Sequence, residues 1–123
     1  MRTLQQSDGF TLVEILIAMV ILIIGSLGVA SLTVSIIRGN TFNNKISTAT
    51  LLSRSKLQDA QRLGYTGVAN VTEDYHTIPN YSAYKRVTSV NPDAPSANMK
   101  TVTVTVSWDT DRDSVSVTTI LAE

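Results

Sequence analysis

The sequence lacks several residue types on which protein chemistry commonly depends. It contains no cysteine, so the chain forms no disulfide and offers no thiolate to a metal or a substrate. His76 is the only histidine, and the sequence around it supplies no second ligand or acid–base partner. No glycine-rich phosphate loop and no nucleophile motif is present. The sequence therefore predicts a chain without catalytic activity, without a metal site and without a cofactor.

Proline is rare in the sequence, and the net charge is zero. The first of three prolines is Pro79, so no proline interrupts a long helix in the first half of the chain. Ten basic and ten acidic side chains cancel, which gives no reason to expect nucleic acid as a partner. A chain of 123 residues accommodates one small domain besides a membrane anchor.

One long apolar run near the N-terminus dominates the sequence instead. Between Phe10 and Ala30 the only polar side chains are Thr11, Glu14 and Ser26. A helix of about 20 apolar residues spans roughly 30 Å, the thickness of the hydrocarbon core of a bilayer. A carboxylate near the start of such a helix is unfavourable in lipid, so we expect Glu14 to serve a function and to have a cationic partner.

The segment Gly9–Glu14, which reads Gly-Phe-Thr-Leu-Val-Glu and is followed by unbroken apolar residues, resembles the class III signal of type IV prepilins and type II secretion pseudopilins. The resemblance implies that prepilin peptidase cuts between Gly9 and Phe10 and methylates the new N-terminus at Phe10. The freed amine is then a cation for Glu14, either four residues away on the same helix face or, as in the family, on a neighbouring subunit. The resemblance thus implies that Glu14 sets the axial register of a filament.

The helix is expected to continue beyond the apolar run. Apolar residues recur at spacings of three to five, which predicts a helix from about Phe10 to Leu63 that ends at the glycines of residues 64–67. Gly39 and the asparagine-rich stretch after it are poor helix formers, so we expect a bend or local unwinding there. Gly25 and Gly28 interrupt the apolar run and either permit close helix packing or help the helix to melt.

The C-terminal half shows the period-two alternation of β-strands. The pattern predicts strands at about 84–90, 100–108 and 114–121, a loop over 68–79 and a hairpin loop over 109–113. A three-stranded antiparallel sheet packed on the soluble half of the helix gives an α+β fold, which is also the plan of the resembled family. The expected division is a leader (1–9), a transmembrane or filament-core helix (10–34), a soluble helix half (35–64), and a C-terminal loop and sheet (65–123).

Two clusters in the C-terminal half leave other functions open. Asp109, Asp111 and Asp113 alternate like the start of a calcium loop, although Ser114 and Ile120 stand where an EF-hand needs glycine and glutamate. The sequence favours a solvated turn and leaves calcium binding open. Tyrosines and basic residues between positions 81 and 86 would suit contact with DNA or another surface, although core and edge-strand packing is the favoured interpretation.

The charge distribution and the resemblance disagree about membrane topology. Four basic residues and no acidic residue lie between Ser31 and Gln58, whereas the only charged side chains of the leader are Arg2 and Asp8. The positive-inside rule alone would place the C-terminal part in the cytoplasm. The resemblance implies the opposite orientation, because prepilin peptidase cuts at the cytoplasmic face, and we follow the resemblance.

Taken as a whole, the resemblance implies a minor structural subunit of a type IV pilus, most like minor pilins of the PilV type. Such a subunit is held in the bacterial inner membrane with its C-terminal domain outside the cytoplasm and is then assembled into the filament or its tip. The implied partners are prepilin peptidase, other pilin subunits, the inner-membrane assembly platform and the lipid bilayer. The alternatives are a minor pseudopilin of a type II secretion system, similar to the GspI type, a DNA- or surface-binding minor pilin, and an ordinary single-pass protein that is never cut.

Overall fold

The fold consists of one long helix followed by four strands, in a computed structural model that describes residues 9–123. The elements are α1 (Leu12–Gly67), β1 (Val71–Glu73), β2 (Tyr84–Pro92), β3 (Met99–Trp108) and β4 (Asp113–Ala122). The chain divides into two compact units, residues 1–40 and residues 41–123. The predicted leader lies outside the described residues, apart from its last residue, Gly9.

The first unit presents an apolar helix surface that no side chain among residues 9–40 covers. Every side chain from Leu12 to Asn40 is exposed, and α1 is long and apolar enough near its start to cross a membrane by length and composition. The hydroxyl of Ser26 donates a hydrogen bond of 2.8 Å to the carbonyl oxygen of Leu22, so this polar group is satisfied within the helix. An apolar surface of this extent calls for lipid or other apolar segments around it.

The backbone of α1 stays helical at Gly39 and breaks at Gly64, where the sequence predicts the helix stop. The local unwinding expected near Gly39 is not observed, because the residues around it keep helical backbone. One glycine in a helix costs only about 1 kcal/mol relative to alanine, a penalty that neighbouring helical residues outweigh. The break lies at Gly64, whose φ of 71° and ψ of −173° are not helical, directly after the predicted end at Leu63, and α1 ends at Gly67, the second glycine of the predicted stop.

The four strands form one antiparallel sheet in the order β1-β2-β3-β4. The predicted strands correspond to β2, β3 and β4, and each observed boundary lies within two residues of the predicted one. The prediction of three strands is wrong by one, because β1 lies in the segment predicted as a loop and pairs with residues 86–88 of β2. Three residues show too little alternation to reveal a strand in the sequence.

The core of the second unit lies between the sheet and the C-terminal half of α1. The alternation of β3 turns one face of the strand inward, and its four inner side chains are at most 2% exposed: Val102, Val104, Val106 and Trp108. The helix and the segments around β1 supply the rest of the core: Ala49, Leu52, Leu57, Ala60, Val68 and Ile78. Each buried valine or leucine contributes about 1.5–3 kcal/mol, so this cluster is the main source of stability of the unit.

An ion network around Glu73 fastens the short strand β1 to the rest of the unit. Arg86 on β2 donates through Nη2 and Nε to the two carboxylate oxygens of Glu73, at 2.6 and 2.7 Å. Lys56 on α1 lies 3.1 Å from the same carboxylate, and Nη1 of Arg86 donates to the carbonyl oxygen of Leu52 at 3.2 Å. The hydrogen bonds from Arg86, together with Lys56, hold the pKa of Glu73 below its ordinary value of 4.5. The network thereby joins α1, β1 and β2.

The backbone break at Gly64 predicts unequal effects for two glycine substitutions. Gly64→Ala is expected to destabilise the protein by about 1–3 kcal/mol, because a positive φ with an extended ψ is open almost only to glycine. Gly39→Ala is the matched control and should be neutral or stabilising by up to about 1 kcal/mol, since a Cβ there meets no atom within 4 Å. Thermal unfolding of the full chain in detergent, followed by Trp108 fluorescence and circular dichroism, measures both. Equal effects would contradict the assignment of the break.

The Glu73 network predicts a pH-dependent contribution to folding. Glu73→Gln should destabilise the chain by about 1–3 kcal/mol at neutral pH, because the guanidinium of Arg86, 11% exposed, loses its charged partner. The pKa of Glu73 is lower in the folded chain, so its stabilisation is complete above pH 4.5 and is lost as the pH falls through the folded pKa.

The variant should therefore lose less stability than the unchanged chain when the pH is lowered from roughly 5 to 3. Asp59→Asn, which removes the exposed pair of Asp59 with Arg62, is the control and should resemble the unchanged chain. Unfolding midpoints measured across this range provide the comparison. The network would play no such role if the midpoints of the Glu73→Gln chain and the unchanged chain fell in parallel.

Candidate functional site

A side-chain cap forms the N-terminus of α1. Thr11 precedes the first helical residue, Leu12, and its Oγ1 accepts a hydrogen bond of 3.2 Å from the backbone N–H of Glu14. The N–H of Ile15 donates to the carbonyl oxygen of Thr11 at 3.2 Å. This is the N-cap geometry expected of a Thr-x-x-Glu sequence, and it places the Glu14 carboxylate in the first turn, where the helix dipole favours a negative charge.

Phe10 lies before the helix and not within it. The expectation that Phe10 and Glu14 are four apart on one helical face is therefore wrong for the described chain, because Thr11 caps the helix after Phe10. Both residues nevertheless line one open groove, together with Ile15, Ala18, Met19 and Leu22. Phe10, which is predicted to carry the new amine, and the carboxylate of Glu14 thus lie along the same side of the chain.

Glu14 is exposed and has no cation beside it among residues 9–123, since none of the ion pairs found there includes it. A carboxylate costs on the order of 2.5–3.5 kcal/mol at the centre of a bilayer and less near the end of the span. A nearby cation offsets such a penalty by Coulomb attraction. No residue among 9–123 supplies such a cation.

The glycines singled out in the sequence have open space around them within residues 9–123. A Cβ built on Gly25 or Gly28 meets no atom within 4 Å, and the same is true of Gly9. Gly25 and Gly28 both have helical backbone and exposed surfaces. Their predicted role in close packing with a neighbouring helix, or in melting of the helix, concerns partners outside the chain and stays a prediction.

Asp109 and Asp111, in the turn between β3 and β4, bind separate partners. Asp109 accepts two hydrogen bonds from Nζ of Lys45, at 2.7 and 2.8 Å. Asp111 accepts hydrogen bonds from Lys85 at 3.3 Å and from the hydroxyl of Tyr75 at 3.2 Å. Within residues 9–123 no group of three or more acidic, histidine or cysteine side chains is placed to hold a metal ion. The turn attaches the last hairpin to the helix and to the loop before β2.

The tyrosines and basic residues near the start of β2 are engaged in contacts within the second unit. The ring of Tyr84 packs against Trp108 with the ring centroids 6.3 Å apart. Arg86 is bound to Glu73, and Lys85 pairs with an aspartate of the adjacent turn. These contacts occupy the groups that stacking on nucleotide bases and pairing with phosphates would require.

His76 lies in the loop between β1 and β2. Its backbone N–H donates to the carbonyl oxygen of Ser82 at 3.0 Å, and its φ of 68° places it in a left-handed conformation. Loop geometry explains its position, and it belongs to no metal-ligand group in the described part of the chain.

Comparison with known proteins bears on the N-terminal end of this site. Residues 5–30 match the family model of the prokaryotic N-terminal methylation motif. The chain carries a prepilin methylation motif. The match includes the sites predicted for cleavage, methylation and register: Gly9, Phe10 and Glu14. No curated protein and no solved structure matches the chain significantly.

The prepilin motif and the fold agree with each other. A long apolar N-terminal helix whose second half packs on an antiparallel sheet is a pilin-like α+β arrangement. The motif supports a type IV pilin-like or pseudopilin subunit and a membrane anchor. It implies processing by prepilin peptidase and assembly with other pilin subunits, in a family that is structural rather than catalytic.

Sequence reasoning missed two features of the structure. The cap at Thr11 could have been predicted from the Thr-x-x-Glu spacing, which is the signature of a capping box. The pairing of Glu73 with Arg86 could not be predicted, because it depends on the register between β1 and β2.

The cap at Thr11 predicts the protection of the first helical turn in the uncut chain. Thr11→Ala should raise amide hydrogen exchange around Glu14 roughly fivefold, because loss of an N-cap costs about 1 kcal/mol. Thr11→Ser keeps the oxygen acceptor and is the matched control. Hydrogen exchange with mass spectrometry on the full chain in detergent measures both. Equal exchange in the two variants would show that Thr11 does not cap the helix.

Proposed function

We propose that this chain is a minor structural subunit of a type IV pilus. Prepilin peptidase cuts it between Gly9 and Phe10 and methylates Phe10, and the mature chain is then assembled into the filament or at its tip. The observation that carries the proposal is the match of residues 5–30 to the methylation motif. The wholly exposed apolar surface of α1 in the first unit supports it, because such a surface suits lipid before assembly and neighbouring helices afterwards.

The backbone around the proposed cleavage site supports processing. Gly9 and Phe10 are exposed and belong to no helix or strand, and the helix is capped only from Thr11 onwards. A peptidase therefore meets a bond that is not protected by helical hydrogen bonds. Gly9 has open space around its Cα, so no contact within the described chain shields the bond.

The charge at Glu14 supports a role in register. Cleavage creates an amine at Phe10, and two unit charges 4 Å apart attract by about 4 kcal/mol at an effective dielectric constant of 20. That attraction is comparable with the penalty for a carboxylate in an apolar environment, on the order of 2.5–3.5 kcal/mol. A neighbouring subunit placed out of register would leave both charges unpaired among apolar side chains. The pair of Glu14 with a neighbour's amine therefore favours one axial spacing between subunits.

The proposed placement follows the division expected from the sequence. Residues 10–34 lie in the inner membrane before assembly and in the filament core afterwards, with Gly25 and Gly28 allowing close approach or melting. Residues 35–64 and 65–123 lie outside the cytoplasm, where the sheet can select neighbouring subunits. Transfer from membrane to filament requires the inner-membrane assembly platform.

A minor pseudopilin of a type II secretion system is the second candidate, because pseudopilins share the same motif. A neighbouring gene for a retraction ATPase would indicate a pilus, and neighbouring genes for an outer-membrane secretin and exported enzymes would indicate secretion. A DNA-binding role is disfavoured by the internal contacts of Tyr84, Lys85 and Arg86.

Processing is tested by the intact mass of the membrane-extracted chain in cells with and without prepilin peptidase. The expected product has lost residues 1–9 and gained one methyl group at Phe10, and it forms only when the peptidase is present. Gly9→Val should leave the chain uncut, because its side chain stands at the bond to be cleaved, whereas the control Gly25→Ala should be processed normally. A full-length mass in both strains would contradict the proposal.

A further inference from the structure

The turn between β3 and β4 lies at the end of the second unit where the chain enters that unit. The ring of Phe42 packs on Trp108, the last residue of β3, with the ring centroids 6.3 Å apart. Nζ of Lys45 lies 2.7 Å from the carboxylate of Asp109, the first residue of the turn. The β3–β4 turn, residues 109–112, is therefore held beside the first helical residues of the second unit.

The opposite end of the second unit is roughly 30 Å away. Nζ of Lys100, near the start of β3, donates to the carbonyl oxygen of Tyr65, near the end of α1, at 2.7 Å. β3 thus runs antiparallel to the helix, and the ten residues of the strand cover roughly 30 Å. The turn between β2 and β3, which contains Ser96, belongs to this far end.

Phe42 follows shortly after the apolar run of α1. Residues 15–37 contain no charged side chain and span about 35 Å as a helix, enough to cross the hydrocarbon core of a bilayer. Arg38 is the next charged residue, and Phe42 lies one helical turn, about 6 Å, beyond it. The headgroup layer is about 5–8 Å thick on each side of the core. In a membrane-spanning chain, Phe42 therefore reaches the depth of the headgroups.

The side chains at this end suit a layer of phospholipid headgroups. The ring of Phe42 is 45% exposed, and large apolar side chains favour the boundary between headgroups and acyl chains. Arg38 and Arg112 are exposed, and neither makes a side-chain hydrogen bond or ion pair within residues 9–123. Guanidinium groups bind phosphate oxygens through charge-assisted hydrogen bonds, so these two arginines are suited to headgroup phosphates.

The acidic side chains at this end are balanced by basic ones. Lys45 pairs with Asp109, and Nζ of Lys85 lies 3.3 Å from the carboxylate of Asp111. Four acidic and four basic side chains occur over residues 38–45, the loop before β2, the start of β2 and residues 109–113: Asp74, Asp109, Asp111, Asp113, Arg38, Lys45, Lys85 and Arg112. The net charge of these segments is zero, so headgroup phosphates do not repel them as a whole.

We propose that Phe42 and the β3–β4 turn rest on the phospholipid headgroups beside the anchor while the chain is in the membrane. Phe42 lies at the boundary of the acyl chains, and Arg38 and Arg112 bind headgroup phosphates. Lipid is the occupant because this surface continues, within one helical turn, the helix that is long and apolar enough to span the bilayer. The inference rests on membrane anchoring and does not depend on cleavage at Gly9, so it can fail or hold separately from the proposed function.

Fluorescence quenching by headgroup-labelled lipid tests this contact in the full-length, uncut chain. The chain has no cysteine, so Thr110→Cys in the β3–β4 turn takes a single fluorophore, and Ser96→Cys at the far end is the matched control. Both positions are exposed. Each labelled chain is reconstituted in phosphatidylcholine and phosphatidylglycerol vesicles, with and without lipid that carries a nitroxide on its headgroup.

Quenching should be at least about threefold greater at residue 110 than at residue 96, because nitroxides quench only at short range and the two turns are roughly 30 Å apart. Quenching at residue 110 that is no greater than at residue 96 would overturn the proposal, since the turn would then stand clear of the headgroups. No peptidase is present, so the outcome is independent of processing.

A second set of variants tests whether the named side chains make the contact. In the Thr110→Cys chain, Phe42→Ser combined with Arg112→Ser should reduce quenching at least about threefold, since an apolar anchor and a phosphate ligand are lost. Arg112→Ser alone breaks no side-chain contact within residues 9–123 and should reduce quenching in part. Leu51→Ser, which removes another exposed apolar side chain of α1, is the control and should leave quenching unchanged.

Circular dichroism establishes that these variants are folded. Unchanged quenching in both the double variant and the Arg112→Ser chain would overturn the assignment of the contact to Phe42 and Arg112.

Discussion

A single carboxylate on an apolar helix surface is the constraint on which the account of this chain depends. Glu14 stands in the first turn of α1, the surface around it is exposed, and no cation lies beside it among residues 9–123. In lipid or among apolar helices an unpaired charge is unfavourable, so a functional explanation is required. The proposed cleavage after Gly9 would create a suitable cation, and the match of residues 5–30 to the methylation motif supports a cut there. The helix cap at Thr11 completes the local geometry, because it leaves the bond to be cut outside the helix.

The second unit has its own source of stability. The inner face of β3 and one face of α1 form its core, and the Glu73 network fastens β1 to both the helix and β2. Side chains that resembled binding groups in the sequence are used here for internal contacts, as Lys45 with Asp109 and Arg86 with Glu73 show. Among residues 41–123, β4 forms an outer edge of the sheet and pairs only with β3.

The sequence was most informative where one physical pattern dominates a long stretch. Apolar content indicated the membrane-type helix, and strict alternation indicated β3 and β4 to within a residue, because each pattern spans many positions. Short or pairwise features were missed. β1 has too few residues for its alternation to be recognised, and the ion pair of Glu73 with Arg86 requires a strand register that only the fold supplies. Local propensity gave a wrong prediction at Gly39, where helical neighbours outweigh the glycine penalty, whereas the break at Gly64 lies where the glycines predicted the helix stop. At the site, the motif residues could be named from the sequence, but the cap that separates Phe10 from the helix required the structure.

Incorporation of a Glu14→Gln chain into filaments tests whether the Glu14 carboxylate sets the register. The variant and the control Glu123→Gln are each expressed in place of the unchanged subunit, and sheared filaments are assayed for the chain by quantitative mass spectrometry. We expect both variants to be cut and methylated, and Glu14→Gln to be depleted from filaments by at least about tenfold, since loss of a charge pair worth more than 1.4 kcal/mol changes an equilibrium by that factor. Equal incorporation of the two variants would contradict a register set by the Glu14 carboxylate.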